Sequence, residues 1–153
     1  MSWRDLEAGA PEIAEIARAQ MLAHRIALLG TIRPEGWPRI APIEPGFVAG
    51  ELILAIMASP KVEDLRREPR CVVHSLVVDG SGTEPEVKLS GRAVATAAPA
   101  IRSAAGTWWG RMPDATVALF LLEIEEAVVV SWRHDDGDRM RVRSWRRGGQ
   151  VTD

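Results

Sequence analysis

The chain has 153 residues, 46% of them hydrophobic and 26% charged, and its 19 basic and 21 acidic side chains leave a formal charge of −2. At this length roughly 68 to 70% of the unfolded surface can be buried, so one domain spanning 1–153 is expected without disulfides or metal, and a two-domain enzyme is not. The charge argues against nucleic-acid binding, no run approaches the roughly 20 apolar residues that cross a bilayer, and the single Cys71 excludes an internal disulfide or a multi-thiolate zinc site, so the expected setting is cytoplasmic.

Along the chain, Ile13, Ile16, Ala17 and Met21 recur at helical spacing behind Pro11 and predict an amphipathic N-terminal helix over about 10–24. The apolar run from Ile26 to Ile32 is too short for a helix and ends in Arg33-Pro34-Glu35-Gly36, so it reads as a buried strand entering a hairpin. The return segment 37–44 reaches a second turn at Pro45-Gly46, and Phe47 and Val48 lead through Ala49-Gly50 into a strand over 51–57, so three consecutive antiparallel strands are expected. A short helix over 62–67 opens at Ser59-Pro60-Lys61, and strands follow at 71–78 and 87–96, separated by a Gly/Ser/Thr/Pro loop. In the second of these, Val87, Leu89, Gly91 and Ala93 alternate with Lys88, Ser90, Arg92 and Val94, the period of a half-buried strand. A helix over 99–105, a loop over 106–113, a long strand over 120–130, a last strand over 140–145 and a polar tail over 146–153 complete the chain. Five to seven closely spaced strands with too few crossover helices indicate an antiparallel barrel or sandwich with short helices.

Nucleophile-elbow, Walker-type, dinucleotide-binding and HExxH motifs are all absent. His74 and Cys71 fit core or interface packing better than ligation or catalysis, and the acidic segment His134 to Asp138 lacks calcium-loop spacing. More informative is Ser59-Pro60-Lys61, where Ser59 is placed to cap a helix, Pro60 to occupy its first position, and Lys61 to face the positive end of the helix dipole. The three residues suit a phosphate monoester, and they suit a plain capped turn equally well.

Of the 19 basic residues only Lys61 and Lys88 are lysines. Lys88 shares a strand face with Ser90 and Arg92, which is either a solvated stripe or one wall of a ligand groove. In Arg39-Ile40-Ala41-Pro42-Ile43 the proline removes a ladder donor, marking an edge or a bulge and leaving Arg39 placed to meet an anion. Arg139, Arg141, Arg143 and Trp145 alternate onto one face of the last strand, read either as a charge-protected edge or as an anion or nucleic-acid wall. Trp108 and Trp109 serve as a lid, an interface plug or core.

Taken in order, the segments Ala27-Leu28-Leu29-Gly30-Thr31-Ile32-Arg33-Pro34-Glu35-Gly36-Trp37-Pro38-Arg39, Pro42 to Phe47, Gly50 to Leu54, Ser59-Pro60-Lys61, Asp64 to Arg70 and Val87 to Ala93 resemble the flavin-binding split-barrel family typified by pyridoxamine 5'-phosphate oxidase. The resemblance covers most of the chain. It implies a mainly β (α+β) fold: a six-stranded antiparallel split β-barrel of Greek-key type with short helices, forming a homodimer that holds FMN in each of two grooves between the subunits. By the same resemblance, Arg39, Ile40, Ala41, Pro42 and Ile43 lie along the ring and help the phosphate site. Ser59, Pro60 and Lys61 hold the phosphate, Glu86, Lys88 and Ser90 line the groove, and Trp132 or the 139–145 strand closes it from the partner subunit.

Two departures bear on function. The substrate-gripping segment of the oxidases contains a histidine, whereas Arg139-Met140-Arg141-Val142-Arg143 has none, so pyridoxamine phosphate is not the expected substrate. Glu86 also stands where the family usually has glutamine. The expectation is therefore an FMN-binding oxidoreductase acting on a small organic molecule. The alternatives are a deazaflavin-dependent reductase of the same fold and a non-catalytic module for a flavin, haem or small anion.

Overall fold

The computed structural model describes residues 2–133 and 139–152, so the acidic segment from His134 to Asp138 lies outside the described residues. The elements in order are α1 (Trp3–Gly9), α2 (Pro11–His24), β1 (Ala27–Ile32), β2 (Pro38–Ile43), β3 (Pro45–Val48), β4 (Glu51–Ile56), α3 (Pro60–Arg67), β5 (Arg70–Ser75), β6 (Glu86–Thr96), α4 (Pro99–Trp109), β7 (Ala118–Arg133) and β8 (Arg139–Arg146). The sheet is antiparallel throughout and has eight strands rather than six.

Strand order β2-β1-β5-β6-β7-β4-β3, with β8 also on β7, places β2 and β3 at opposite ends of the hydrogen-bonded path. Only Glu44 separates them in sequence. The sheet must therefore curl until its two edges meet, and the chain itself stitches the barrel shut. This corrects the expectation of three successive paired strands: β1 pairs β2 and β3 pairs β4, but β2 does not pair β3. The split lies on β7, whose first residues pair β4 (Ala118 to Leu121) and whose later ones pair β8 (Glu126 to Arg133).

The alternation of β6 is realised in full, with Val87, Leu89, Gly91 and Ala93 buried. A bulge between Ser90 and Gly91 leaves Glu125 unmatched on β7. Gly91 is required there, since a Cβ would collide with the Glu123 carbonyl oxygen. The barrel interior is filled by Leu29, Leu52, Leu54, Leu89, Phe120, Leu122 and Ile124, and α1 and α2 close one side with Trp3, Leu6, Ile13, Ala17 and Met21. β4 is buried on both faces because α4 covers its outer side, where Ile53 packs with Ala105, Leu119 and Trp109.

α1 was not anticipated from the sequence. Its capping box is complete, the Ser2 hydroxyl accepting from the Asp5 amide while the Asp5 carboxylate accepts from the Ser2 amide, and Trp3 and Leu6 are fully buried. Seven residues are marginal as a helix alone, so this packing is what holds it. α4 runs on to Trp109 through a segment expected to be loop, because Gly106 lets the Met112 sulfur rest where a Cβ would stand.

β8 also departs from the expected solvated edge. Trp145 is buried, with its indole lying over Gly9 of α1, and Arg143 on the same face is drawn into an ion pair with Glu12 of α2. The aromatic residue of the nucleic-acid reading is thus part of the core. No helix among the described residues is long and apolar enough to cross a membrane.

Candidate functional site

At the end of the barrel where β2, β4 and α3 converge, the chain leaves a cleft of about 630 Å3. Its walls include Pro42 and Ile43 from β2, Met57 to Ser59 and Lys61 from the turn into α3, and the segment from Arg111 to Val117 that follows α4. Proline at the first position and extended backbone at Ser59 start α3 as the sequence predicts, but the Ser59 hydroxyl does not cap the helix. It donates back to the Met57 carbonyl at 2.8 Å, so the amides of the first turn keep no side-chain acceptor.

Lys61, half-buried, reaches across to the Pro42 carbonyl at 3.3 Å. A carbonyl is a weaker partner for an ammonium than an anion is. Arg111 enters the same cleft, is exposed, and has no side-chain partner among the described residues. It was missed in the sequence because it sits in a stretch without periodicity.

Arg39 is placed differently from the expectation. It shares a face with Thr31 across the β1–β2 ladder, and both turn toward α3. The Arg39 Nε donates to Asp64 at 2.6 Å and the Thr31 hydroxyl donates to the same oxygen at 2.9 Å. Asp64 is only 2% exposed. Burial acts to raise its pKa, and the Arg39 and Thr31 hydrogen bonds overcome that and hold it below the ordinary carboxylate value. Arg67 adds a bond to the Ile32 carbonyl. The cluster ties α3 to β1 and β2, so Arg39 acts first as a brace behind the cleft.

Glu86, Lys88 and Ser90 lie elsewhere, on the outer face of β6. Register places Lys88 beside His74 and Val128, Ser90 beside Val72 and Glu126, and Glu86 beside Val130. Lys88 pairs with Glu86, and the His74 Nε2 is 3.2 Å from the same carboxylate. The Lys88 bond, with a smaller contribution from His74, outweighs desolvation and lowers the pKa of Glu86. Ile40, 71% exposed, belongs to this outer face through Gly30 and Val72, as do Val142, Met140 and Trp132 at its far end. Ala41 faces the barrel side with Leu29. The structure thus gathers Pro42, Ile43, Ser59 and Lys61 around one cleft, and spreads Ile40, Glu86, Lys88, Ser90 and Trp132 over a partly apolar outer surface.

No protein-family model and no curated protein matches the chain. Solved structures do match. A haem-binding protein from Mycobacterium smegmatis aligns with a TM-score of 0.64 at 17% identity, covering 85% of this chain and 57% of that one, so the chain spans little more than half its length. PhzG from Burkholderia lata 383, solved with tetrahydrophenazine-1-carboxylic acid, aligns with a TM-score of 0.66 at 14% identity over 93% of this chain and 88% of that one. A protein related to general stress protein 26, of the pyridoxinephosphate oxidase family, from Clostridium acetobutylicum gives a TM-score of 0.60 at 14% identity over 94% and 95%. The fold is that of the pyridoxamine 5'-phosphate oxidase-like split barrels.

Proposed function

We propose that this split-barrel chain binds FMN, or a deazaflavin coenzyme in its place, and serves as an oxidoreductase for a small organic substrate. The observation that carries the reading is the cleft at the start of α3, where Lys61 and Arg111 line one space beside Ser59, Pro42 and Ile43. The two cations, with the Lys61 backbone N–H beside them, fit a phosphate on the α3 side of a cleft that also carries Glu44 and Asp114, and the apolar walls fit the edge of a ring system. A bound flavin supplies hydride chemistry. Lys61 and Arg111 would neutralise the phosphate, and the Asp64–Arg39–Thr31 cluster fixes α3 so that Lys61 keeps its place at the cleft. The ion-paired Glu86–Lys88–His74 cluster on the outer face of β6 forms one wall of a groove in this reading.

A second copy of the chain completes that groove in this proposal. The outer face exposes two apolar patches, Ile40 and Val72 on β2 and β5 and Val142, Met140 and Trp132 on β8 and β7, on either side of the His74–Lys88 row, and a subunit interface of the mixed kind would cover both. The test is the visible absorption spectrum after incubation with FMN and, separately, with a deazaflavin coenzyme, followed by gel filtration. Retention of either band supports the reading. The Lys61→Ala chain is then expected to lose affinity about tenfold or more, the size of a hydrogen bond to a charged group. Unchanged affinity in that variant removes Lys61 from the site, and retention of neither cofactor leaves an anion-binding module as the better account.

A further inference from the structure

Beside the cleft lies a second recess of about 440 Å3, formed where the end of α2, the β2–β3 junction and the end of α4 meet. Glu44 and Trp109 line both spaces, so the two adjoin along one seam. The recess is aromatic by construction. Trp109 lies over Gly46, where a Cβ would come within 2.9 Å of its ring, and Trp108 is held edge-on to Phe47 at 6.1 Å between ring centres. Trp108 remains 37% exposed.

Arg25 borders this space and is unusual in three respects. It is the residue that ends α2, a position with left-handed backbone (φ 59°) where glycine is the ordinary choice and a side chain costs about 1 kcal/mol or more. It is exposed, and its guanidinium has no partner among the described residues. Glu44, across the recess, is likewise exposed and unpaired, and does not pair with Arg25. Its backbone N–H closes the helix on the Met21 carbonyl at 3.0 Å, a bond glycine would make equally well, so among the described residues no side-chain contact favours arginine there.

We propose that the recess binds a planar aromatic monoanion, an aryl carboxylate or its equivalent, with the ring against Trp108 and Trp109 and the acid group on Arg25. A guanidinium pairs with a carboxylate through two parallel hydrogen bonds. The indole faces take a flat ring with offset or edge contact. Glu44, on the opposite wall, disfavours the acid group at its own end and so orients it toward Arg25 and α2. The site stands without the cofactor reading; where that reading holds, the ligand is the substrate, lying next to the cofactor cleft across Trp109 and Glu44.

The test is calorimetric titration of the full chain with naphthoate and with the neutral naphthamide. Naphthoate is expected to bind saturably and at least about tenfold more tightly than naphthamide, a difference of one charge-assisted contact. Arg25→Gly is expected to raise the Tm by relieving the left-handed strain while bringing naphthoate down to the affinity of naphthamide, and Trp108→Ala to weaken both. No saturable naphthoate binding, equal binding of the two probes, or parental naphthoate affinity in Arg25→Gly overturns the proposal. Naphthoate bound by a chain that retains neither FMN nor deazaflavin overturns the cofactor reading alone.

Discussion

Asp64 is a buried carboxylate held by donors from two neighbouring strands. Its carboxylate is 3% exposed and accepts from Arg39 and Thr31, while the Arg39 side chain is 25% exposed. Replacing Asp64 by Ala strands the Arg39 guanidinium and leaves the Thr31 hydroxyl without its acceptor. Breaking one side of a buried pair costs about 3 to 5 kcal/mol, and the partial exposure of Arg39 points to the lower end, about 3 kcal/mol. For a chain of this size that lowers the Tm by about 6 to 12 °C. The assay is urea and thermal unfolding followed by circular dichroism at pH 7, with Asp64→Asn and the double change Asp64→Leu, Arg39→Met alongside. The double variant is expected to recover most of the loss, because an apolar pair of similar volume leaves no buried charge.

The pH dependence follows from the same geometry. The folded pKa of Asp64 lies below its ordinary 3.8, so its stabilisation is complete above that value and disappears as pH falls through the lower, folded pKa. The gap between the parent and Asp64→Asn is therefore widest near neutrality and narrows in acid. A loss under about 1 kcal/mol in Asp64→Ala at pH 7, or a gap that widens in acid, refutes the reasoning.

Other expectations are more direct. Gly91→Ala forces a Cβ onto the Glu123 carbonyl, a backbone atom that cannot swing aside, and is expected to cost at least about 3 kcal/mol in urea unfolding or to prevent soluble expression. Cys71 is buried, and burial pushes its thiol up to about 12, so disulfide reagents are expected to label it only through opening of the fold, far more slowly than a free thiol at the same pH between 7 and 9. Val72→Arg and Val142→Arg place charge in the two apolar patches of the outer face, and sedimentation is expected to show monomers where the parent chain sediments as a dimer; a parent that is already monomeric removes the proposed interface.

The barrel was legible wherever period and punctuation agreed. β6 alternates without a break, and Ser59-Pro60-Lys61 marks the start of α3 one turn ahead of its buried Val62 and Leu65. What escaped depended on partners distant in sequence. Nothing in the pattern of β8 says that its Arg143 and Trp145 face lies under α1 and α2, and nothing near Arg39 says that Asp64 will hold it. Gly106 reads as a helix breaker until Met112 is seen resting against it. One signal was available and unused: Glu86 and Lys88, two apart on a strand, must share a face, so Lys88 was never a free cation.

The seam at Glu44 also has a bearing on how the chain folds. The β1–β2 and β3–β4 hairpins form from neighbouring residues, yet neither can be joined to the other by hydrogen bonds, because the strands that meet at the seam never pair. Each hairpin instead waits for a strand made much later: β1 for β5, and β4 for the opening residues of β7. Local pieces thus form early while the barrel closes through long-range pairings, the regime in which β-rich domains take milliseconds to seconds. Until β7 arrives, the apolar run of β4 has no cover on its open edge, which makes that strand the segment most exposed to misassociation during synthesis.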